Sequence, residues 1–348
     1  MLDLAPLRKA FARGKHRDTF EFLWKRYYQF TDGGRRVRDE SKPYPTEPAT
    51  VFLSAWACTA EEKYRDAAIR VFEYAHERED DGRFVFHVPD ASLPDKKRPV
   101  FNRDPQARQI YNFYTAYKIF GHLDYLQWAD RCAASMLKHI RRVPHPALHR
   151  NLFAHNVITL GENPTRATSI DANMNCEIAL AYTLLYHDPK STYYQSAEAR
   201  DIAECEVDAA FSLQKDDGSL PLNEDPAHKD HCDTAYGGYV GFSTVWLNQL
   251  WSNPKWARKI EKLGDWLGRY SKGKPPYADR YYSSRTAELR GWDLWYRIPV
   301  LWKCGQSPTA LIETYLAQPE PSTLERGYLI FAYYEVMGIP PDVYLAAP

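Results

Sequence analysis

The stretch Tyr194–Leu220, YQSAEARDIAECEVDAAFSLQKDDGSL, opens on an aromatic residue, continues as an amphipathic helix and closes on Asp-Asp-Gly. Tyr64–Phe84, YRDAAIRVFEYAHEREDDGRF, follows the same pattern. YLQWADRCAASMLKHI from Tyr125 and WARKIEKLGDWLGRY from Trp256 repeat its helical part. Recurrence at intervals of about 60–70 residues marks a structural repeat. Within it, Ala68, Val71, Phe72 and Ala75 fall at i, i+3, i+4 and i+7, the spacing of one helix face. Gly218 supplies the positive φ that a helix stop commonly requires.

Between these helices lie more apolar ones, roughly Asp104 to Phe120, Ile170 to His187, Thr234 to Trp251 and Glu288 to Lys303. Helical hairpins repeated without a low-complexity linker predict an all-α fold, an (α/α) toroid, as a single domain over residues 1–348. In this arrangement inner helices line a cleft and outer helices enclose them. An open solenoid is the structural alternative. The polar groups at the inner-helix starts favour the closed ring, and only RFVFHV, near Phe84, reads as a strand.

Composition narrows the function classes. The 45 Lys and Arg balance 45 Asp and Glu, so there is no global field to hold nucleic acid or an anionic membrane. Aromatics are abundant, with 25 Tyr and 10 Trp, and in a cleft such rings stack on sugar faces, although many fill helix interfaces. The six cysteines are scattered with no C-x-x-C pair and read as reduced core residues. MLDLAPLRKAFARGKHRDTFEFLW lacks the apolar run of a signal peptide, so the sequence as it stands predicts a cytoplasmic protein. A removed leader would make it periplasmic or secreted.

The functional signal is densest at Asp216–Leu250, DDGSLPLNEDPAHKDHCDTAYGGYVGFSTVWLNQL. A polar loop with His228 and His231 enters an inner helix near Tyr236 and Tyr239. Gly237 and Gly238 each cost that helix start about 1 kcal/mol relative to Ala, which is understandable if something approaches the backbone there.

This order of Asp-Gly-Ser, His, paired Tyr and a closing LNQL resembles the active-site segment of the α/α-toroid polysaccharide lyases that cleave hyaluronate and chondroitin. The step from His231 to Tyr239 is one residue shorter than in that segment. Upstream, DANMNCEIALAY resembles their Asn-containing helix start, with Asn173 the better match and Asn175 the second, but without the flanking tryptophans. Downstream, SSRTAELRGW offers Arg285 and Arg290 where those lyases place arginines. The likeness spans Ile170 to Trp292, about a third of the chain. No later stretch reads as the β-sandwich of those enzymes, so the resemblance is expected to be nearer to a stand-alone toroid lyase of the alginate or glucuronan type.

The resemblance implies β-elimination on a uronic-acid polymer. Asn173 and His231 would neutralise the uronate carboxylate as an oxyanion hole does. Tyr239 would serve as base and acid, its phenol ionised below the usual pKa of about 10 by a neighbouring Arg or His. Arg285 or Arg290 would lower that pKa or hold substrate. His231 as base with Tyr239 as acid suits anti elimination equally well. Tyr236, Asn175, His228 and Tyr282 complete the candidate substrate contacts, joined by Arg103 and Gln109 from FNRDPQARQIYNFY, a stretch that a plainly capped helix would also explain. Asn173 could likewise be a helix N-cap. The expected partner is an acidic polysaccharide or oligosaccharide, with no cofactor and no metal.

Other chemistries fit the same residues. A toroid glycoside hydrolase needs two carboxylates, for which Asp171, Asp216, Asp217 and Asp233 are candidates. A uronyl C5-epimerase begins with the same proton abstraction. A zinc site could draw on His228, His231, Cys232 and Asp233, although their spacing matches no standard motif.

Overall fold

The computed structural model describes residues 3–13, 24, 45–92, 94, 97–154, 158–159, 170–226, 232, 234–269, 291–309, 311 and 338–340. Among these, ten helices alternate between two layers. Helices α2 (Glu47–Thr59), α4 (Arg103–Phe120), α6 (Ala172–His187), α8 (Thr234–Trp251) and α10 (Gly291–Lys303) pack on one another in chain order and form the inner layer. Outside them, α3 (Glu62–Glu77), α5 (Leu123–His139), α7 (Ala197–Ser212) and α9 (Pro254–Arg269) each pack on the inner helix that precedes them. Helix α1 (Ala5–Arg13) lies against α2. This is the α/α-toroid arrangement that the repeat predicts. Because every inner helix returns through an outer one, the inner helices run in one direction and gather their N-terminal ends on one rim.

Burial explains the two layers. In α4, 16 of 18 residues are buried, and in α6, 13 of 16. A helix buried on nearly every face needs neighbours on every side. Helix α9 buries only Trp256, Ile260, Leu263, Gly264, Trp266 and Leu267, one stripe against the inner layer, and leaves its lysines outside.

The two Asp-Asp-Gly turns have one job. Gly82 has φ +78° and Gly218 φ +91°, so each occupies the left-handed region. A Cβ on Gly82 would stand 2.3 Å from the Arg131 carbonyl oxygen of α5, and one on Gly218 would stand 2.0 Å from that of Lys262 in α9. Each turn therefore presses one repeat's end onto the next outer helix, a contact open only to glycine. Asp217 accepts from the backbone N–H (3.0 Å) and hydroxyl (2.7 Å) of Ser219, so its carboxylate closes the turn.

The sequence reading missed most of the small sheets. Strand β1 (Phe86–Pro89) pairs antiparallel with β2 (Lys97–Phe101), and β2 pairs with β5 (Ile158–Thr159). β3 (Arg142–His145) pairs antiparallel with β4 (Arg150–Phe153). They are too short to show alternation in the sequence, and they sit at the rim: β2 runs straight into Asn102, whose side chain caps α4 by accepting from the Asp104 N–H at 3.3 Å. The six cysteines, all among the described residues, form no disulfide. Among the described residues, no helix is long and apolar enough to cross a membrane.

Candidate active site

Six side chains from four inner helices meet at the rim. Arg108, in the second turn of α4, directs Nη1 to Glu47 Oε1 at 2.7 Å and Nη2 to Glu177 Oε1 at 2.6 Å. The same Nη2 lies 3.8 Å from Asp104 Oδ1, one turn earlier. Tyr239, in the second turn of α8, donates its hydroxyl to Glu177 Oε1 and sits 3.1 Å from the Tyr111 hydroxyl. Its ring stands edge-on to Tyr296 of α10, with centroids 4.4 Å apart. Arg297, next in α10, donates to Thr234 Oγ1 at 2.7 Å and ties α10 to the start of α8.

The electrostatics follow from burial. Glu177 is 0% exposed, and desolvation pushes its carboxyl well above the usual range; Arg108 opposes this, while Asp104 adds to it by charge and as a hydrogen-bonding neighbour. Arg108 retains 17% side-chain exposure, so the cluster touches the rim surface through it and Glu47. Burial, with Glu177 alongside, also drives the Tyr239 phenol well above its ordinary value. That is opposite to the lowered pKa expected from the sequence: Arg108 lies 5.9 Å from the ring centroid, but its charge is already shared among carboxylates. Tyr239 is therefore a neutral donor here.

A second polar cluster lies beside the first. Asp171, at the N-cap of α6, faces Arg103 Nη2 at 3.5 Å. Arg103 is fully buried and donates Nη1 to the Phe153 carbonyl at 2.7 Å. Asn175 accepts from the Asp171 N–H at 2.9 Å and donates to Glu206 of α7. Glu206 also accepts from the Phe153 N–H at 2.9 Å, and burial raises its carboxyl above its ordinary value. The Ser219–Pro226 segment crosses this end of α6: Ala172 N–H donates to Leu222 O at 3.1 Å, and Ile170 N–H donates to Glu224 Oε1 at 2.9 Å. His145 Nε2 lies 2.8 Å from the other Glu224 oxygen.

The fates of the sequence candidates divide accordingly. Tyr239 and Asn173 stand on the rim; Asn173 is 9% exposed in the first turn of α6. Tyr236 is half-buried one turn before Tyr239. Arg103, Asn175 and Gln109 are spent inside the protein. Gln109 donates to the Pro105 carbonyl at 2.9 Å and accepts from Thr46, whose hydroxyl also receives Asn112 Nδ2 at 2.6 Å. With all three at 0% exposure, no sugar can share those hydrogen bonds. His228, His231, Tyr282, Arg285 and Arg290 lie outside the described residues. Gly237 admits a neighbouring helix, since a Cβ there would stand 2.9 Å from Trp266 Cζ3 of α9. Asp216 and Asp217 are exposed in the turn that follows α7, and Asp233 lies outside the described residues. Of the residues that the alternative zinc reading would use, only Cys232 is described, and among the described residues no three His, Cys, Asp or Glu side chains form a metal-holding group.

Asp104, Glu177 and Glu47 escaped the sequence reading. Asp104 looks like an ordinary first-turn acid. Glu177 did leave a signal: it is the one charged residue in the apolar run Asn175–Leu185, where a buried charge needs a partner.

No protein-family profile matches the sequence, and no curated protein matches it. Solved structures do. An unsaturated glucuronyl hydrolase specific for heparin superposes with a TM-score of 0.60 at 11% identity, over 97% of this chain and 99% of that one. A D-mannose isomerase gives 0.57 at 12% identity over 85% and 87%. The unsaturated glucuronyl hydrolase of Bacillus sp. GL1, which degrades glycosaminoglycan, gives 0.53 at 14% identity over 85% of each chain. The chain has the α/α-toroid fold. At these identities the likeness extends to the fold alone.

Proposed function

We propose that the protein is a carbohydrate-active enzyme that hydrolyses a glycosidic bond in an oligosaccharide bearing a uronic acid. The observation that carries this reading is the gathering of carboxyl groups from successive inner helices, Asp104 from α4 and Asp171 and Glu177 from α6, on one rim around Arg103 and Arg108. Glycoside hydrolysis needs two such groups in different states, one protonated and one charged. The buried Asp104–Glu177 pair supplies a proton, and the Arg103-paired Asp171 supplies a carboxylate. In the proposed reaction Asp171 takes a proton from water as its oxygen attacks the anomeric carbon. The C–O bond breaks and its electrons go to the leaving oxygen, which takes the proton of Asp104. One water is consumed. The acidic sugar class is supported by the two glucuronyl hydrolases that share the fold.

The lyase reading is the second candidate, and Asn173 and Tyr239 on a common rim favour it. A neutral Tyr239 suits the acid step of such an elimination and not the base step. One experiment separates the two. The protein is incubated with alginate, glucuronan, hyaluronate, chondroitin and heparosan, and with their 4,5-unsaturated oligosaccharides. Hydrolysis yields reducing ends with no gain in ultraviolet absorbance. Elimination yields a new C4=C5 double bond and rising absorbance, and that result would replace the hydrolase reading.

A further inference from the structure

Glu177 is not placed to meet a sugar. It is completely buried, six residues into α6, yet two donors from different helices grip its Oε1: the Tyr239 hydroxyl of α8 and Arg108 Nη2 of α4. When one carboxyl oxygen accepts two donors and the group is neutral, the proton resides on the other oxygen. That other oxygen, Oε2, is buried, and the carboxyl group neighbouring Glu177 is Asp104. We infer that Glu177 is a positioning residue that keeps a proton in store for Asp104, with Tyr239 and Arg108 fixing its Oε1 so that its O–H faces Asp104. This inference rests on Asp104 being the acid of the proposed hydrolysis.

Every charged or titratable neighbour is consistent with one shared proton. Asp104, Arg108 and Tyr111 face the pair from α4, Glu47 from α2 through Arg108, and Tyr239 from α8, backed by Tyr296 of α10. Three carboxyl groups, Glu47, Asp104 and Glu177, surround the single guanidinium of Arg108. Fully ionised, they would leave an excess of negative charge in a largely dry site, so one proton is retained among them. Desolvation raises Glu177 and thereby favours it as the holder at rest. During the reaction the shared proton moves from Glu177 to Asp104 and on to the leaving oxygen, which leaves both carboxyl groups ionised. Water refills Glu177 through Asp104 between turnovers.

The test is Glu177→Gln, because a glutamine amide keeps the geometry: its carbonyl still accepts from Tyr239 and Arg108, and its N–H₂ still donates to Asp104. It holds no transferable proton. In the wild type, infrared difference spectra at neutral pH should show a protonated-carboxyl band that Glu177→Gln removes. Tyr239→Phe should keep this band and move it to higher frequency, since the C=O loses a donor. With a hydrolysed substrate, kcat of Glu177→Gln should fall about 10- to 100-fold at unchanged KM, and the alkaline limb of its pH profile should move to lower pH. A band that survives in Glu177→Gln, or a pH profile that does not move, overturns the inference. The infrared result stands whether or not any sugar is cut, so it separates failure of the proton store from failure of the hydrolase reading.

Discussion

Arg108 Nη2 lies 2.6 Å from Glu177 Oε1, and this pairing joins α4 to α6 at the rim where the inner helices begin. The same guanidinium reaches Glu47 of α2 through Nη1, so one planar fork links three inner helices. A lysine carries the charge on a single point and cannot span both carboxylates. Arg108→Lys should therefore lower stability by about 2–4 kcal/mol in chemical denaturation, with much of the loss arising from the carboxylate left without its partner. Arg108→Met should cost at least as much.

The pH dependence of stability should report on Glu177. Its carboxyl in the folded protein lies above the unfolded value of 4.5, so the native state binds a proton that the unfolded chain releases. That contribution is fully present below about pH 4.5 and is lost as pH rises toward the folded pKa, by up to about 1.4 kcal/mol per pH unit. Glu177→Gln has no proton to lose. Its Tm relative to wild type should rise as pH increases above about 4.5, and a difference that is flat with pH would contradict the buried neutral acid.

Gly218→Ala should test the turn that seats each repeat. The added methyl would overlap the Lys262 carbonyl at 2.0 Å and force an alanine to φ +91°. The strain and the overlap together should cost about 3 kcal/mol or more, read as a lower midpoint in urea. Gly82→Ala, at the equivalent turn, should behave alike.

Gln109→Ala separates structural polar residues from binding ones. It removes the acceptor of the Thr46 hydroxyl in a buried network and should destabilise by about 1–3 kcal/mol. Because Gln109 has no exposed atoms for a substrate, KM of the folded variant should stay unchanged.

Periodicity carried the fold well. The aromatic-led helices beginning near Tyr64, Tyr125, Tyr194 and Trp256 are the outer helices α3, α5, α7 and α9, and Thr234–Trp251 is α8 to the residue. The repeat is legible because an outer helix needs one apolar stripe and therefore shows it. The site is harder to read for the same reason. Inner helices are buried all round, so a residue such as Asn175 or Gln109 that serves an internal network looks the same in the sequence as one that binds a ligand. Tyr239 stands out in the sequence through its likeness to the lyase segment and the glycines beside it, but its partners Tyr111 and Glu177 lie 128 and 62 residues away, and no local pattern reveals such pairs. Most of the rim strands were missed because runs of two to five residues show no period.

The most direct measurement compares Asp104→Asn and Tyr239→Phe with wild type on 4,5-unsaturated uronate oligosaccharides and on the intact polymers, counting reducing ends while following ultraviolet absorbance. The account predicts that wild type releases reducing ends without a rise in absorbance, that Asp104→Asn abolishes release, and that Tyr239→Phe only slows it. Rising absorbance that survives Asp104→Asn and vanishes with Tyr239→Phe would contradict it.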